Sequence, residues 1–162
     1  MAHLEIERKF RLDGFPALPP VRCAETEQGY LCHDPVVRIR RTHEQDAVKF
    51  RLCFKGKGTL VRRELELELT AAQYAELRAM MTEPMVRKDY RTYRLPGGET
   101  LECSHVDPGK SGSFWYAEVE FHSEEEAQVF EPPAFLGEDV TENPEFTMSA
   151  YARRKAAQAN GK

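Results

Sequence analysis

The feature that most constrains the fold of this chain is a strict alternation of charged and apolar positions along several short segments. Glu5, Glu7 and Lys9 occupy alternate positions near the start of the chain, and Arg38 and Arg40 do so later. Successive side chains of a β-strand point to opposite faces, so each segment predicts a strand with one charged face. The clearest segments are HLEIERKF, VVRIRR, VKFRLCFK, RRELELEL and FWYAEVEF.

Three shorter segments bring the expected number of strands to about eight. They are EQGYLC, MVRKDYRTYRL and ETLECSHV, and turns such as PGGE and FKGKGT separate many of the strands. Short turns rich in Gly, Asp or Pro between alternating segments are typical of an antiparallel meander.

Three helices are predicted between and after the strands. TAAQYAELRAMMTEP has Thr70 as its N-cap and ends at Pro84, and HSEEEAQVF offers Ser123 and Glu126 as a capping box. The segment TMSAYARRKAAQ places apolar residues on one side and basic residues on the other. Strands dominate, so the predicted fold class is α+β.

The length and charge of the chain limit its organisation. We expect a single domain over residues 1–162, because this length suffices for one core and no linker is visible. No run approaches the roughly 20 apolar residues of a membrane span. Charges begin at Glu5, so we expect no signal peptide and a cytoplasmic protein. The net charge of −4 gives no reason to expect nucleic acid or a membrane as a partner.

The cysteines and histidines suggest no familiar catalytic or metal motif. The four cysteines form no CxxC pair and have no histidine at metal spacing, so reduced thiols are expected rather than zinc ligands. The five histidines show no pairing that would make a nucleophile relay, so we expect them on the surface or in loops.

The charged faces allow two interpretations. Like charges two residues apart on a strand lie roughly 7 Å from each other and repel unless counter-charges lie between them. The faces could be solvated, as on many antiparallel sheets. Alternatively, a closed barrel of about eight strands could turn them inward around a polar ligand. Inward basic residues would then hold a polyanion, and paired carboxylates would hold Mg²⁺ or Mn²⁺.

The segment EIERKF resembles the ExExK signature of the CYTH superfamily, the triphosphate tunnel metalloenzymes. The similarity continues in the same order through QGYL, VRIR, RRELELEL, VRKDY, LPGG, AEVEF and GEDVTE. The resemblance implies a closed eight-stranded antiparallel β-barrel, or tunnel, with a few flanking helices. It also implies a small-molecule triphosphate substrate and a divalent cofactor, Mg²⁺ or Mn²⁺.

The opening of the chain is most similar to small bacterial members that hydrolyse inorganic tripolyphosphate to pyrophosphate and phosphate. Hydrolysis of a triphosphate is therefore the expected activity. The alternatives are a non-catalytic module that binds polyphosphate or nucleotides, a thiamine triphosphatase and a class IV adenylate cyclase. The sequence leaves open whether the protein forms a homodimer.

The resemblance assigns a role to each charged position that matches the family pattern. It implies catalytic roles for Glu5, Glu7, Lys9 and Lys88. The implied metal ligands are Glu5, Glu7, Glu118 and Glu120, and the supporting tunnel carboxylates are Glu64, Glu66 and Glu102. The implied phosphate-binding residues are Lys9, Arg38, Arg40, Lys55, Arg62 and Lys88.

Three places depart from the family pattern. Tyr90 stands where the family usually has Arg, and Ser104 stands where it has Asp. Thr147 and Met148 precede the last helix where Lys and Asn are common. Each departure removes a group that would line or close the tunnel, so a shifted substrate or binding without turnover remains an alternative.

Overall fold

The computed structural model of the protein describes residues 3–161, which form eight strands and three helices. The elements in chain order are β1 (His3–Leu12), β2 (Arg22–His33), β3 (Val36–Glu44), β4 (Ala47–Lys55), β5 (Val61–Leu69), α1 (Ala71–Ala79), β6 (Val86–Arg94), β7 (Thr100–Val106), β8 (Phe114–Glu120), α2 (Glu124–Val129) and α3 (Met148–Asn160).

The strands close into an antiparallel barrel in the order β1-β5-β4-β3-β2-β6-β7-β8. The predicted meander is correct for β2 to β5 and for β6 to β8 but wrong for β1, which pairs with β5 and β8 instead of β2. The connection from β1 to β2 contains Pro16, Pro19 and Pro20 and is too long for a tight hairpin. Because β1 joins β5 to β8 and β2 pairs with β6, the two meanders close without a free sheet edge.

The alternating charges face the interior of this barrel. Lys9, Arg38, Lys55 and Lys88 are all buried, each with less than a tenth of its surface exposed. The interpretation with solvated faces is therefore wrong, and the predicted closed α+β barrel is confirmed.

The apolar faces of the strands point outward and are covered in part by the helices. Tyr74 of α1 packs in a cluster with Ile39, and Ala127 of α2 lies in a second cluster with Phe10. Ala152 of α3 belongs to a third cluster that contains several residues of the strand ends. The hydrophobic core of this fold thus lies between the barrel and its helices, while the barrel interior is polar.

Side-chain caps fix where the helices begin. The Thr70 hydroxyl accepts from the Gln73 N–H at 3.2 Å, and the Gln73 side chain accepts from the Thr70 N–H at 2.9 Å, a full capping box. Ser123 likewise caps α2 by accepting from the Glu126 N–H. The Glu126 carboxylate, however, accepts from the N–H of His122 rather than from Ser123, so the reciprocal bond of the predicted box is shifted by one residue.

A buried carboxylate ties α3 to the barrel wall. Asp107 accepts hydrogen bonds from the Tyr151 hydroxyl at 2.8 Å, the Lys155 ammonium at 2.6 Å and the Arg87 N–H at 3.1 Å. Lys155 also donates to the Met85 carbonyl at 2.6 Å. These bonds hold the N-terminal half of α3 beside one end of the barrel.

All four cysteines are unpaired, as predicted. None of the helices within residues 3–161 combines the length and the apolarity that crossing a bilayer requires.

Candidate functional site in the barrel interior

The barrel encloses a cavity of about 710 Å³. Every residue to which the sequence assigned a site role lines this one cavity. They are Glu5, Glu7, Lys9, Arg38, Arg40, Lys55, Arg62, Glu64, Glu66, Lys88, Glu102, Glu118 and Glu120. The predicted set thus lies together in space, and the role of each member stays a prediction.

Counter-charges separate the like charges that alternate along β1. The Arg62 guanidinium bridges two carboxylates, with Nε 2.6 Å from Oε2 of Glu5 and Nη2 2.6 Å from Oε1 of Glu7. Lys55 Nζ lies 2.7 Å from Oε1 of Glu5 and 3.3 Å from Oε1 of Glu64. Burial alone would raise the pKa of Glu5, but Lys55 and Arg62 hold it well below its usual range.

A second cluster places an excess of positive charge on one side of the cavity. Glu66 accepts from Arg40 at 3.0 Å and also from Arg51, while Arg38 Nη2 lies 4.0 Å away. One carboxylate therefore faces three guanidinium groups. The Nε atoms of Arg38 and Arg40 are buried and have no hydrogen-bond partner. A buried donor without a partner is costly, so these guanidinium groups are suited to an anionic ligand.

Carboxylates from β1, β7 and β8 form an acidic wall, defined here as Glu7, Glu102, Glu118 and Glu120. In the strand register Glu7 faces Glu120, and Glu102 faces Glu118. Burial together with the charge of Glu118 raises the pKa of Glu7 to about 7, and burial also raises the pKa of Glu102. The acidic wall differs from the four predicted metal ligands in one member. Glu5 lies among cations instead, and Glu102 lies among the carboxylates.

Two lysines lie beside this wall. Lys9 Nζ is 3.1 Å from Oε1 of Glu118. Lys88 is buried and donates to the Tyr116 hydroxyl at 2.6 Å. Burial lowers the pKa of Lys88 to about 7, because the opposing charge of Glu118 is outweighed by burial and the nearby guanidinium groups.

One further group of ligand-bearing side chains lies in the cavity. Within residues 3–161, Cys53, Glu64 and Glu66 have ligand atoms that all lie within 4.8 Å of one another. The thiol of Cys53 donates to Glu64 at 2.9 Å, and burial raises its pKa to about 11. Both carboxylates are already paired with Lys55 or with guanidinium groups. This group is therefore a poor cation site.

Several cavity residues were missed by the sequence analysis. Tyr116 precedes Glu118 by two residues on β8, and Arg51 lies on the charged face of β4. The period of two places Arg51 on the charged face of its strand, although no site role was assigned to it, and the same period could have identified Tyr116. Tyr30 also lines the cavity and accepts from the Gln28 side chain at 2.9 Å.

Of the four positions that depart from the family pattern, Tyr90, Thr147 and Met148 line the cavity and Ser104 does not. Tyr90 lines it, and Ser104 is buried with a hydroxyl that has no partner. Thr147 and Met148 line it at the start of α3. Arg91 lies on the outer face, where its guanidinium is 3.9 Å from the centre of the Phe15 ring. The side chains at these four positions carry no charge, so they add none to the cavity.

One histidine that lines the cavity has partners that the sequence did not reveal. His33 Nδ1 lies 2.7 Å from the Ser149 hydroxyl, and its Nε2 lies 2.9 Å from Oε2 of Glu83. The sequence showed no partner for this histidine, and the structure gives it two. His33 and Ser149 are 116 residues apart in the chain, so no local pattern could reveal the contact.

Comparison with known proteins identifies the family. The chain is 33% identical over 148 residues to an inorganic triphosphatase of Nitrosomonas europaea, a match that covers 91% of this chain and 96% of that protein. The chain belongs to the CYTH superfamily. The resemblance read from the sequence is thereby confirmed, although a scan of protein-family models finds no match.

Solved structures show the same CYTH barrel. The inorganic triphosphatase NE1496 superposes with a TM-score of 0.65 at 30% identity, covering 91% of this chain and 93% of that one. A putative adenylyl cyclase from Hippeastrum, described as having a dominant triphosphatase activity, superposes with a TM-score of 0.57 at 19% identity. That match covers 76% of this chain and 82% of the other and supports the fold alone.

Proposed function

We propose that this CYTH barrel binds inorganic tripolyphosphate and hydrolyses it to pyrophosphate and orthophosphate with the help of a divalent cation. The observation that carries the proposal is the pair of arginines Arg38 and Arg40, which line a cavity with an acidic wall and whose Nε donors are buried without partners. The similarity to an inorganic triphosphatase over most of the chain supports the same activity.

The basic side of the cavity would hold the phosphate chain. Arg38 and Arg40 can each donate two parallel hydrogen bonds to one phosphate group, which a lysine cannot do. Lys55 and Arg62 already satisfy Glu5 and would neutralise phosphate oxygens with their remaining donors. Lys9 and Lys88 lie near Glu118 and would bind the part of the chain closest to the acidic wall.

The acidic wall fits a divalent cation. Its donors are carboxylate oxygens, which Mg²⁺ and Mn²⁺ prefer. The raised pKa of Glu7 reflects burial beside Glu118, and a cation would relieve that repulsion. We propose Glu7, Glu118 and Glu120 as ligands, with Glu5 and Glu102 in support. When bound, such a cation neutralises phosphate oxygens and makes a bound water more acidic.

Hydrolysis would follow from positioning and charge, as in other phosphoryl transfers. The guanidinium groups fix the phosphate chain, and the carboxylates of the acidic wall orient the attacking water. Lys88 takes up a proton as the polyanion enters, so that it adds a positive charge beside the transferred group. Lys9, already paired with Glu118, stabilises the charge that develops on the leaving pyrophosphate.

A substrate panel tests this proposal. The purified protein is incubated with tripolyphosphate, ATP or thiamine triphosphate in Mg²⁺, in Mn²⁺ or in EDTA, and orthophosphate and cyclic AMP are measured. We expect orthophosphate from tripolyphosphate in at least one metal and none in EDTA. Binding of tripolyphosphate without turnover in either metal would favour the non-catalytic module, and cyclic AMP from ATP would favour the cyclase.

Two further expectations remain proposals. We place the protein in the cytoplasm, because its four unpaired thiols suit a reducing compartment. We propose a small-molecule triphosphate as its substrate class, since the basic residues line the interior of a barrel rather than an outer surface.

A further inference from the structure

A relay of three side chains lies at one end of the tunnel and has no part in the hydrolysis proposed above. The relay consists of Ser149 in the first turn of α3, His33 at the end of β2 and Glu83 before β6. Ser149 and His33 line the same cavity as the basic residues. The relay therefore places a serine hydroxyl within reach of the space that the triphosphate would occupy.

The hydrogen bonds of the relay set the direction in which protons can move. The carboxylate of Glu83 can only accept, so the hydrogen between it and His33 belongs to Nε2 of the imidazole. A neutral imidazole then has a lone pair on Nδ1, and the Ser149 hydroxyl donates to it across 2.7 Å. This is the arrangement of a serine activated by a general base that a carboxylate orients.

A second serine–histidine pair in the same chain shows the opposite polarity. The Ser113 hydroxyl donates to the Val106 carbonyl at 2.9 Å, so its contact with His105 Nε2 at 2.8 Å must be an N–H that the imidazole donates. That imidazole cannot accept the serine proton. Ser113 is also not among the residues that line the cavity. It is a matched control for Ser149.

The surroundings of Ser149 suit a phosphate group. Ser149 is the second residue of a 13-residue helix, and the positive end of a helix stabilises negative charge. Arg153 follows one turn later, on the same side of the helix, and lines the same cavity. A phosphate on Ser149 would thus have a guanidinium and the helix end as partners.

We propose that Ser149 accepts a phosphoryl group from a triphosphate bound in the barrel, which makes the protein a self-phosphorylating enzyme. The bond from the serine oxygen to the terminal phosphorus forms as the bond from that phosphorus to the departing pyrophosphate breaks. The serine proton passes to His33 Nδ1, and Glu83 stabilises the resulting imidazolium until it loses the proton to solvent. The inference rests on the proposed function, because the donor is the same bound triphosphate.

Mass spectrometry tests the inference. The full chain is incubated with tripolyphosphate and Mg²⁺ or Mn²⁺ and quenched in denaturant, and phosphoserine is mapped by peptide sequencing. Orthophosphate is measured in the same samples. We expect phosphate on Ser149, none in Ser149→Ala, and at least about a tenfold lower initial labelling rate in His33→Gln, whose amide cannot act as the base. Ser113→Ala should label like the unchanged protein.

A further variant guards against a purely structural effect, since Ser149→Ala also removes a contact of α3. Ser149→Thr keeps the hydroxyl, and we expect phosphothreonine at the same position. Orthophosphate release without phosphate on residue 149 would overturn the inference and leave the hydrolysis intact. Labelling of His33→Gln at the same initial rate as the unchanged protein would overturn the role of His33 as the general base. Labelling without orthophosphate release would support the self-phosphorylation and contradict the hydrolysis. If neither labelling nor orthophosphate release is detected, the self-phosphorylation and the hydrolysis are both overturned.

Discussion

Replacing Lys88 with methionine should stabilise the folded barrel, and the gain should shrink as the pH rises. The pKa of Lys88 falls from its ordinary 10.5 to about 7 on folding. Each unit corresponds to about 1.4 kcal/mol, so holding the charged lysine in the folded barrel costs about 4–5 kcal/mol.

The sign of the pH dependence follows from which state holds the proton. Below pH 7 the lysine is charged in both states, and the folded state bears the whole cost. Between pH 7 and 10.5 the unfolded chain binds the extra proton, so the cost falls to about 2 kcal/mol at pH 9. Methionine avoids the cost but loses the hydrogen bond to Tyr116, worth about 1 kcal/mol. The net gain is about 3–4 kcal/mol at pH 6 and about 1 kcal/mol at pH 9.

Urea denaturation at pH 6 and pH 9, in EDTA and without phosphate, measures this difference. Lys49→Met is the control, because that lysine lines the same cavity but is exposed, and its replacement should change the unfolding free energy by less than about 0.5 kcal/mol. A Lys88→Met protein that is less stable than the unchanged protein at pH 6, or whose gain is equal at both pH values, would refute the reasoning.

Three other variants test the charge arrangement. Arg62→Ala leaves Glu5 and Glu7 without their shared partner and should lower the unfolding free energy by about 3 kcal/mol. This is the low end for a broken buried pair, because Lys55 still binds Glu5. An unchanged melting curve would contradict this expectation. Glu120→Ala should slow metal-dependent phosphate release by at least about 100-fold, and an unchanged rate would remove this carboxylate from the site. Asp107→Asn should lower the unfolding free energy by about 1–3 kcal/mol, because it weakens the hydrogen bonds that hold α3. Amide hydrogen exchange should become faster in α3 and stay unchanged in β4.

Much of the barrel was predictable because its strands carry a period of two. The pattern located the eight strands and separated inward from outward side chains, as with Arg40 and its neighbour Arg41. Whether the charged faces met each other or water could not be read from the period alone, because a one-sided sheet has the same pattern. The family resemblance resolved that choice.

The remaining features depend on contacts between distant parts of the chain. Pairing of β1 with β5 and β8 is set by closure of the whole barrel, which no local segment encodes. The position of Glu5 among cations follows from its place opposite Arg62 in the strand register. The His33–Ser149 contact requires α3 to dock against the barrel, and the Asp107 bonds that dock it also join distant residues.

The most direct test of the central claim is tripolyphosphate hydrolysis by two neighbouring variants, Arg40→Gln and Arg41→Gln. The two arginines are adjacent on β3, but Arg40 lines the cavity and Arg41 is exposed outside it. At saturating metal, kcat/KM for orthophosphate release should fall at least about tenfold in Arg40→Gln, which corresponds to the loss of one charged hydrogen bond. In Arg41→Gln, kcat/KM should stay within about twofold of the unchanged protein. Equal rates in the two variants, or an equal loss in both, would contradict the account of an inward-facing phosphate site.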